Sequence, residues 1–185
     1  MVNMSYTIKK VRSRTPDVEK ASYISDGVFI AGDVRLGKNV SIWSNCSIRA
    51  DLASIIIGDN SNVQENTVIH VSPPVEDDYR KNPTGHVIIG NNTTIGHSCI
   101  IHACQIGNNC LIGMGSIIGD DCIIEDGSFI GAASNLTPRS IVRSGELWFG
   151  NPARFMRKLR ESDIEYIKKD TEIYVNLAQE YNKED

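Results

Sequence analysis

Three of the four histidines of this chain have a spacing that could do metal chemistry. His97 and His102 lie five positions apart in a segment made mostly of Gly, Ser, Cys and aliphatic residues, and His70 occurs further upstream. Neutral imidazoles are common metal ligands, and three of them with one water make up a catalytic zinc site. Whether these three side chains meet depends on the elements that carry them.

A six-residue repeat organises most of the chain. Aliphatic residues recur at every sixth position in four groups: Ile24, Ile30, Leu36, Ile42 and Ile48; Ile57, Val63 and Ile69; Ile89, Ile95 and Ile101; and Ile106, Ile112, Ile118, Ile124, Ile130 and Leu136. A helix repeats at about 3.6 residues, so this period indicates short strands joined by tight corners. Three strands complete a turn of about 18 residues, and turns stack about 4.8 Å apart. The pattern predicts an all-β solenoid. It resembles the hexapeptide-repeat proteins, which implies a left-handed parallel β-helix.

The repeat stops after Ile141, and a C-terminal α-helix is predicted at residues 160–182. Ser162 and Glu165 have the spacing of a capping box. Ile167, Thr171, Tyr174, Ala178 and Tyr181 share one helical face, which we expect to cover the outside of the coil. The 185 residues are therefore predicted to form a single domain, 1–185, with the β-helix at about 15–145 and the α-helix packed on it.

Counting in hexads places the histidines on this coil. When the polar segment 71–87 is looped out, His70 and His102 stand one full turn apart on the same edge, about 4.8 Å apart at the backbone. The same count places Arg49 one turn below His70. Two imidazoles at this spacing can share a metal ion.

His97 occupies a different slot, on the preceding side of the coil, so one subunit should not bring all three histidines together. A cyclic trimer would, because threefold symmetry places one edge of a subunit against a different edge of its neighbour. We therefore predict a homotrimer whose interfaces each bind a metal through His70 and His102 of one chain and His97 of the next. The count also places Gln64 in the column of His97, with Asn62 beside it. The alternative is that these are three surface histidines.

The remaining composition limits the partners. The five cysteines fall on the inward column and are predicted to be buried and unreactive, and His86 fits no column and is predicted to be a loop residue. The net charge of −4 without a basic cluster argues against nucleic acid and anionic membranes as partners. Because no apolar stretch resembles an export signal or a membrane span, we expect a cytoplasmic location.

Three motifs resemble the gamma class of carbonic anhydrases: IRAD at 48–51, NVQENTVIH at 62–70 and IGHSCIIH at 95–102. The likeness runs from about residue 15 into the C-terminal helix. This resemblance implies a metal-dependent enzyme that interconverts CO2 and bicarbonate. It implies Zn²⁺ as the cofactor, with Fe²⁺ or Co²⁺ as possible replacements.

The same resemblance implies roles for further residues. Arg49 and Asp51 would form an interface ion pair near the metal, and Gln64 and Asn62 would hold the hydroxide nucleophile and CO2. Tyr174 is similar to a tyrosine found near the metal in this group. Two plainer interpretations stay open, in which Asp51 only pairs with Arg49 to hold the trimer and Tyr174 only packs.

The chain departs from the archetype of the class at two places. Leu52 stands where a Glu follows the Arg-x-Asp motif, and the loop after the first histidine reads VSPPVEDD. Glu76, Asp77 or Asp78 could carry the departing proton, although a run of acids is commonly just solvated. Without a proton route, turnover should be slower or depend on buffer.

Three other functions compete with CO2 hydration. The segment GNPAR at 150–154 resembles one that closes the coil of hexapeptide-repeat acyltransferases, which use an acyl-CoA. Such an enzyme needs a single histidine as general base and leaves two histidines unexplained. A thioester hydrolase that uses the same metal is the second alternative. The third is a non-catalytic trimeric scaffold stabilised by its metal.

Overall fold

A computed structural model describes residues 6–75 and 85–184, which form a parallel β-solenoid of about seven turns followed by one helix. The strands are β1 Thr7–Lys9, β2 Tyr23–Ile24, β3 Phe29–Leu36, β4 Ser41–Ile42, β5 Ser47–Ile57, β6 Asn62–Val63, β7 Val68–His70, β8 Val87–Ile89, β9 Thr94–Ile95, β10 Ile100–His102, β11 Gln105–Ile106, β12 Leu111–Ile112, β13 Ile117–Ile118, β14 Ile123–Ile124, β15 Phe129–Ile130, β16 Asn135–Leu136, β17 Ile141–Val142, β18 Glu146–Gly150 and β19 Ala153–Lys158. The helix α1 spans Glu161–Glu184. The predicted solenoid with a C-terminal helix is confirmed.

The coil has three faces, each built from every third strand. The first face contains β7, β10, β13 and β16, and the second contains β8, β11, β14 and β17. Strands β3 and β5 bend around the corner between these two faces, so the first part of each strand lies on the first face and the last part lies on the second face. The third face runs from β2 through β4, β6, β9, β12 and β15 to β18 and β19. Only the last pair, β18 with β19, is antiparallel among the paired strands of the two sheets.

The aliphatic column of the repeat fills the interior of the coil. Ile48, Ile69, Ile101 and Ile118 are completely buried, as are their counterparts on the other two faces. Burying one such side chain contributes about 1.5–3 kcal/mol, so the stacked column is the main source of stability. Because each turn covers the next, no single turn could bury its own apolar face.

The cysteines belong to this interior, as predicted. All five are free and buried: Cys46, Cys99, Cys104, Cys110 and Cys122. Burial raises the pKa of the Cys46 thiol to about 12 and that of Cys99 to about 11. These thiols therefore stay protonated and act as small apolar side chains.

Helix α1 packs against the third face, where it meets β2, β4, β6 and β9. Ile167, Thr171 and Ala178 are buried in this interface, which confirms the predicted apolar face. Tyr181 is about half exposed, but its ring lies 5.2 Å from that of Trp43 on the coil. The helix thus covers one end of the third face and leaves the first face uncovered.

The start of α1 differs from the prediction. Asp163, not the Ser162 and Glu165 pair, caps the helix, because its Oδ2 accepts a 2.7 Å hydrogen bond from the backbone N–H of Arg160. The same carboxylate binds both terminal nitrogens of Arg157 at the end of β19, at 2.5 and 3.1 Å. The sequence did not predict this cap because it depends on the position of Arg157, which is set by the preceding hairpin of β18 and β19.

These contacts predict a pH-dependent contribution from Asp163. The hydrogen bond from Arg157 and that from the Arg160 backbone lower the pKa of Asp163 to about 2. Because the pKa of Asp163 is lower in the folded than in the unfolded protein, its contribution to stability is complete above the unfolded-state pKa of about 4. That contribution is lost as the pH falls towards about 2. We expect Asp163→Asn to melt at a lower temperature at pH 7, with the difference from wild type shrinking below about pH 4. Thermal melts from pH 7 to 3 test this, and a constant difference over that range would contradict it.

Candidate functional site

The predicted histidine column is present on the first face. His102 pairs with His70 across adjacent strands β10 and β7, and Arg49 pairs with His70 on β5. The strands on either side of the polar segment keep the predicted register, since Ile57 pairs with Ile89 as His70 pairs with His102. The column therefore reads Arg49, His70, His102 along the edge where the first face meets the second.

His70 is held from one side by an ion pair. Its Nε2 lies 3.1 Å from Oδ1 of Asp51, whose other oxygen pairs with Arg49. Burial would raise the pKa of Asp51, but hydrogen bonds from His70 and Arg49 outweigh it and lower that pKa. An ionised carboxylate only accepts hydrogen bonds, so Nε2 of His70 carries a proton. Burial lowers the pKa of His70, which favours its neutral form with a free lone pair on Nδ1.

His102 is held in the same manner by a residue that the sequence analysis missed. Its Nδ1 lies 2.5 Å from Oδ1 of Asp120, and the other oxygen of Asp120 accepts a 2.8 Å hydrogen bond from Ser72 Oγ. The carboxylate thus fixes the proton of His102 on Nδ1. Its Nε2 is left with a free lone pair.

The two free lone pairs converge. Nδ1 of His70 and Nε2 of His102 lie 3.1 Å apart. Two unprotonated nitrogens at this distance repel each other unless a cation lies between them. Zinc binds imidazole nitrogen at about 2.0–2.1 Å, so one ion can touch both nitrogens at this separation. The pair therefore fits a divalent metal, and its carboxylate partners are the kind that usually orient metal-binding histidines.

His97 lies at the other end of the first face. It follows β9 and precedes β10, whereas His102 ends β10, so an extended strand separates the two side chains. Five residues of extended chain span up to about 17 Å. Among residues 6–75 and 85–184, no group of three His, Cys, Asp or Glu side chains is placed to hold a metal within one chain. The structure thus brings His70 and His102 together and keeps His97 apart from them.

The column of His97 contains Glu65 and not Gln64, which corrects the sequence analysis. Val63 pairs with Ile95, so Gln64 lies opposite Gly96 and Glu65 lies opposite His97. Nδ1 of His97 is 2.6 Å from Oε2 of Glu65. The count was wrong by one residue. Glu65 holds one nitrogen of His97 as Asp120 does for His102, and leaves Nε2 available.

The other predicted site residues lie on the third face, on the His97 side. Asn62 and Gln64 are buried beneath α1, and Gln64 Nε2 donates a 3.3 Å hydrogen bond to Asn62 Oδ1. Tyr174 is half-buried on α1 with its ring 5.5 Å from Trp43, edge to face. Burial, and after it the nearby charge of Glu65, raises the pKa of Tyr174 to about 12. Tyr174 thus packs against Trp43 and also lies close to the His97 side of the coil.

The chain therefore carries two half-sites. The first half-site is the cluster of Arg49, Asp51, His70, His102 and Asp120 on the first face. The second half-site is the cluster of Asn62, Gln64, Glu65, His97 and Tyr174 at the third face. A single subunit keeps them apart.

Some predicted features lie elsewhere. His86 precedes β8 and its Nδ1 accepts a 2.9 Å hydrogen bond from the backbone N–H of Ser54, a structural role that agrees with its assignment to a loop. Leu52 packs against the core. The shuttle candidates Glu76, Asp77 and Asp78 lie outside the described residues.

Known proteins resemble this chain over nearly its full length. A family model described as dynactin subunit 5 matches residues 13–180. A carbonic anhydrase of Geobacillus kaustophilus is 39% identical over 92% of this chain and 88% of the relative. This chain belongs to the gamma carbonic anhydrase-like family of hexapeptide-repeat proteins. A solved hexapeptide transferase family protein from Anaplasma phagocytophilum matches this gamma carbonic anhydrase-like chain with a TM-score of 0.86 and 41% identity, over 95% of this chain and 98% of that one.

A plant relative is longer than this gamma carbonic anhydrase-like chain. The mitochondrial gamma carbonic anhydrase 2 of Arabidopsis thaliana is 36% identical over 94% of this chain, which spans 61% of the plant protein. No helix among the described residues is long and apolar enough to cross a membrane. The cytoplasmic location stays a prediction.

Proposed function

We propose that this chain is a metal-dependent carbonic anhydrase that hydrates CO2 reversibly to bicarbonate at the interfaces of a homotrimer. The observation that carries the proposal is the 3.1 Å approach of two imidazole nitrogens, His70 Nδ1 and His102 Nε2, each in a ring whose opposite nitrogen faces a carboxylate. A structural ion pair does not require two unprotonated imidazole nitrogens to face each other. A metal site with an open coordination position requires its ligand nitrogens to converge in this way.

The homotrimer follows from the two half-sites. His97 has its own carboxylate and an available nitrogen, yet its metal-binding partners lie at the opposite end of the first face. A threefold axis would place the second half-site of one subunit against the first half-site of the next. We propose that His70 and His102 of one chain and His97 of its neighbour complete the metal site, with zinc as the resident ion and iron or cobalt as alternatives.

An apolar ridge on the first face supports this assembly. Val68, Ile100 and Ile117 lie in register on β7, β10 and β13, and their exposures are 42%, 45% and 40%. Large aliphatic side chains in a continuous exposed row are characteristic of a protein interface. The ridge lies between the end that carries His97 and the end that carries His102, so a subunit covering it would also reach the histidines.

The protein residues have distinct tasks in this proposal. A bound divalent cation supplies Lewis acidity and a hydroxide nucleophile at neutral pH. Asp51 and Asp120 hold the protons of His70 and His102 on the nitrogens that face away from the metal. Gln64 and Asn62 offer amide groups that position the nucleophile and CO2, and Arg49 ties the Asp51 carboxylate in place.

Purified protein with its metal content measured provides the test. Stopped-flow CO2 hydration should scale with bound metal, vanish after chelation and return when zinc, iron or cobalt is restored. The assembly should have the mass of a trimer. Metal-loaded trimer with no hydration above the buffer rate would overturn the proposal and favour the scaffold.

An acyl-CoA-dependent transferase is the second candidate, because the Anaplasma phagocytophilum neighbour is described as a member of a hexapeptide transferase family. Its chemistry uses one histidine as general base and no metal. Release of free thiol from acetyl-CoA, with and without an amine or hydroxyl acceptor, separates this activity and thioester hydrolysis from CO2 hydration. Acyl transfer by metal-free protein would favour the transferase.

Removing the carboxylate behind His102 should weaken metal binding. In Asp120→Ala, His102 loses the acceptor that fixes its proton on Nδ1. Loss of such a partner commonly costs about 10–100-fold in metal affinity, and we expect a decrease in this range. Asp126→Asn is the matched control, since Asp126 is a carboxylate on the coil surface that binds Asn108 and no histidine. Equal zinc affinities of the two variants in competition titrations would contradict this role of Asp120.

A further inference from the structure

Ser72, at the start of the polar segment 71–87, contacts a residue two turns further along the coil. Strands β7, β10 and β13 are consecutive on the first face. Ser72 follows β7 and Asp120 follows β13, so the 2.8 Å hydrogen bond from Ser72 Oγ to Asp120 Oδ2 crosses the turn that carries His102. This contact links the start of the polar segment to the carboxylate that holds His102.

The backbone of Ser72 is held by its neighbours. Val71, the preceding residue, is fully buried in the core. The N–H of Ser72 donates a 3.1 Å hydrogen bond to the carbonyl of Gly85, near the other end of the polar segment. Gly85 has a φ of +67°, and a Cβ at this position would lie 2.1 Å from the carbonyl oxygen of Ser72. Because only glycine allows this approach, the contact with Gly85 fixes where the Ser72 hydroxyl lies.

The Asp120 carboxylate needs a second contact to have one orientation. The backbone of Asp120 is tied to the next turn, since its carbonyl accepts a 2.8 Å hydrogen bond from the N–H of Arg139. The terminal torsion of an aspartate side chain is broad, so the backbone does not fix the plane of the carboxylate. Hydrogen bonds from His102 to Oδ1 and from Ser72 to Oδ2 fix that plane.

We propose that Ser72 is a positioning residue of the metal site, which acts on His102 through the carboxylate of Asp120. The inference rests on the proposed carbonic anhydrase function. Charge-assisted hydrogen bonds are short and strong, so the orientation of the carboxylate sets that of the His102 ring. The ring in turn directs Nε2 towards Nδ1 of His70. Without the Ser72 hydroxyl, the carboxylate would rotate and the two nitrogens would converge less often.

Ser72→Ala is expected to bind zinc more weakly than wild type. Loss of the direct partner of a ligand histidine costs about 10–100-fold in affinity, and since Ser72 acts one hydrogen bond further out, we expect a loss of about fivefold. Ser72→Thr keeps the hydroxyl and should recover most of this loss. Ser116→Ala is the matched control, a buried serine whose hydroxyl donates to the carbonyl of Gly131. Wild-type zinc affinity of Ser72→Ala in competition titrations, or an equal loss in Ser116→Ala, would overturn the proposal.

A double-mutant cycle tests whether Ser72 acts through Asp120. In the Asp120→Ala protein the carboxylate that Ser72 orients is absent. Adding Ser72→Ala to this protein should therefore change zinc affinity by less than about twofold, because residues in one hydrogen-bond network are not additive. The same fold-loss with and without the Asp120 carboxylate would mean that Ser72 acts by another route, and the proposal would fail.

Two glycine variants test how the backbone of Ser72 is placed. Gly85→Ala and Gly127→Ala put a Cβ on residues with nearly the same φ, +67° and +65°. A Cβ at Gly127 would meet nothing within 4 Å, whereas one at Gly85 would displace the carbonyl of Ser72. We expect Gly85→Ala to weaken zinc binding as Ser72→Ala does, and Gly127→Ala to leave it unchanged. Equal zinc affinities of the two glycine variants would contradict this placement, and if Gly85→Ala does not fold, the Ser72 variants still decide.

A last measurement needs neither metal nor activity. In metal-free ¹⁵N-labelled protein, the His102 Nδ1–H that donates to Asp120 at 2.5 Å should give a proton signal far downfield. This signal should move upfield in Ser72→Ala and stay in place in Ser72→Thr and Ser116→Ala. An unmoved signal in Ser72→Ala would overturn the proposal. If wild-type protein hydrates no CO2, the carbonic anhydrase proposal fails, while these spectra still decide whether Ser72 orients His102.

Discussion

The His102→Ala protein is expected to lose CO2 hydration by at least about 100-fold and to purify with little metal. His102 Nε2 is one of two nitrogens that converge within 3.1 Å, so its removal leaves the first half-site with a single imidazole. Each interface would then offer two histidines to a metal in place of three. Stopped-flow CO2 hydration and elemental analysis of the same sample measure both effects.

The matched control for this variant is His86→Ala. His86 is the remaining histidine, and its Nδ1 contacts Ser54 away from the column. It should keep the metal content and rate of wild type. Equal rates in the His102→Ala and wild-type proteins would exclude the proposed reaction at this site.

Mixing two inactive variants is expected to restore activity. A His97→Ala chain keeps the first half-site, and a His102→Ala chain keeps the second. In a trimer that contains both chains, one of the three interfaces joins the two intact half-sites. Random assembly from equal amounts makes three quarters of the trimers mixed, so we expect about one quarter of wild-type activity.

A second mixture controls for nonspecific rescue. His70→Ala and His102→Ala chains damage the same half-site, so no interface between them contains both His70 and His102. Co-refolding this pair should give no recovery. Recovery in this control, or none in the His97→Ala and His102→Ala mixture, would contradict a site shared between subunits.

The solenoid and the histidine column could be predicted from the sequence because the hexad repeat leaves few alternatives. A one-residue shift of a short strand would turn its aliphatic residue from the core to solvent, so each of Ile69, Ile101 and Ile118 fixes the register of its own strand. His70 and His102 directly follow two of these residues. Their pairing across β7 and β10 was therefore contained in the spacing.

The carboxylates that orient the histidines were missed for a physical reason. Asp120 and Glu65 lie near the corners, beyond the residues that the repeat fixes, and their side chains could point in several directions. The signal was present in part, since Ile118 pairs with Ile101 and thus places the segment carrying Asp120 beside His102. The same register would have placed Glu65 opposite His97 and corrected the position of Gln64.

The sequence by itself determined the coil, its turns and the separation of His97 from the other two histidines, because a buried aliphatic residue at every sixth position admits one register. Only the tertiary structure decided which nitrogen of His70 and His102 stays free and which residue caps α1. These features depend on side chains from distant segments meeting at hydrogen-bond distance, and no local pattern specifies such meetings.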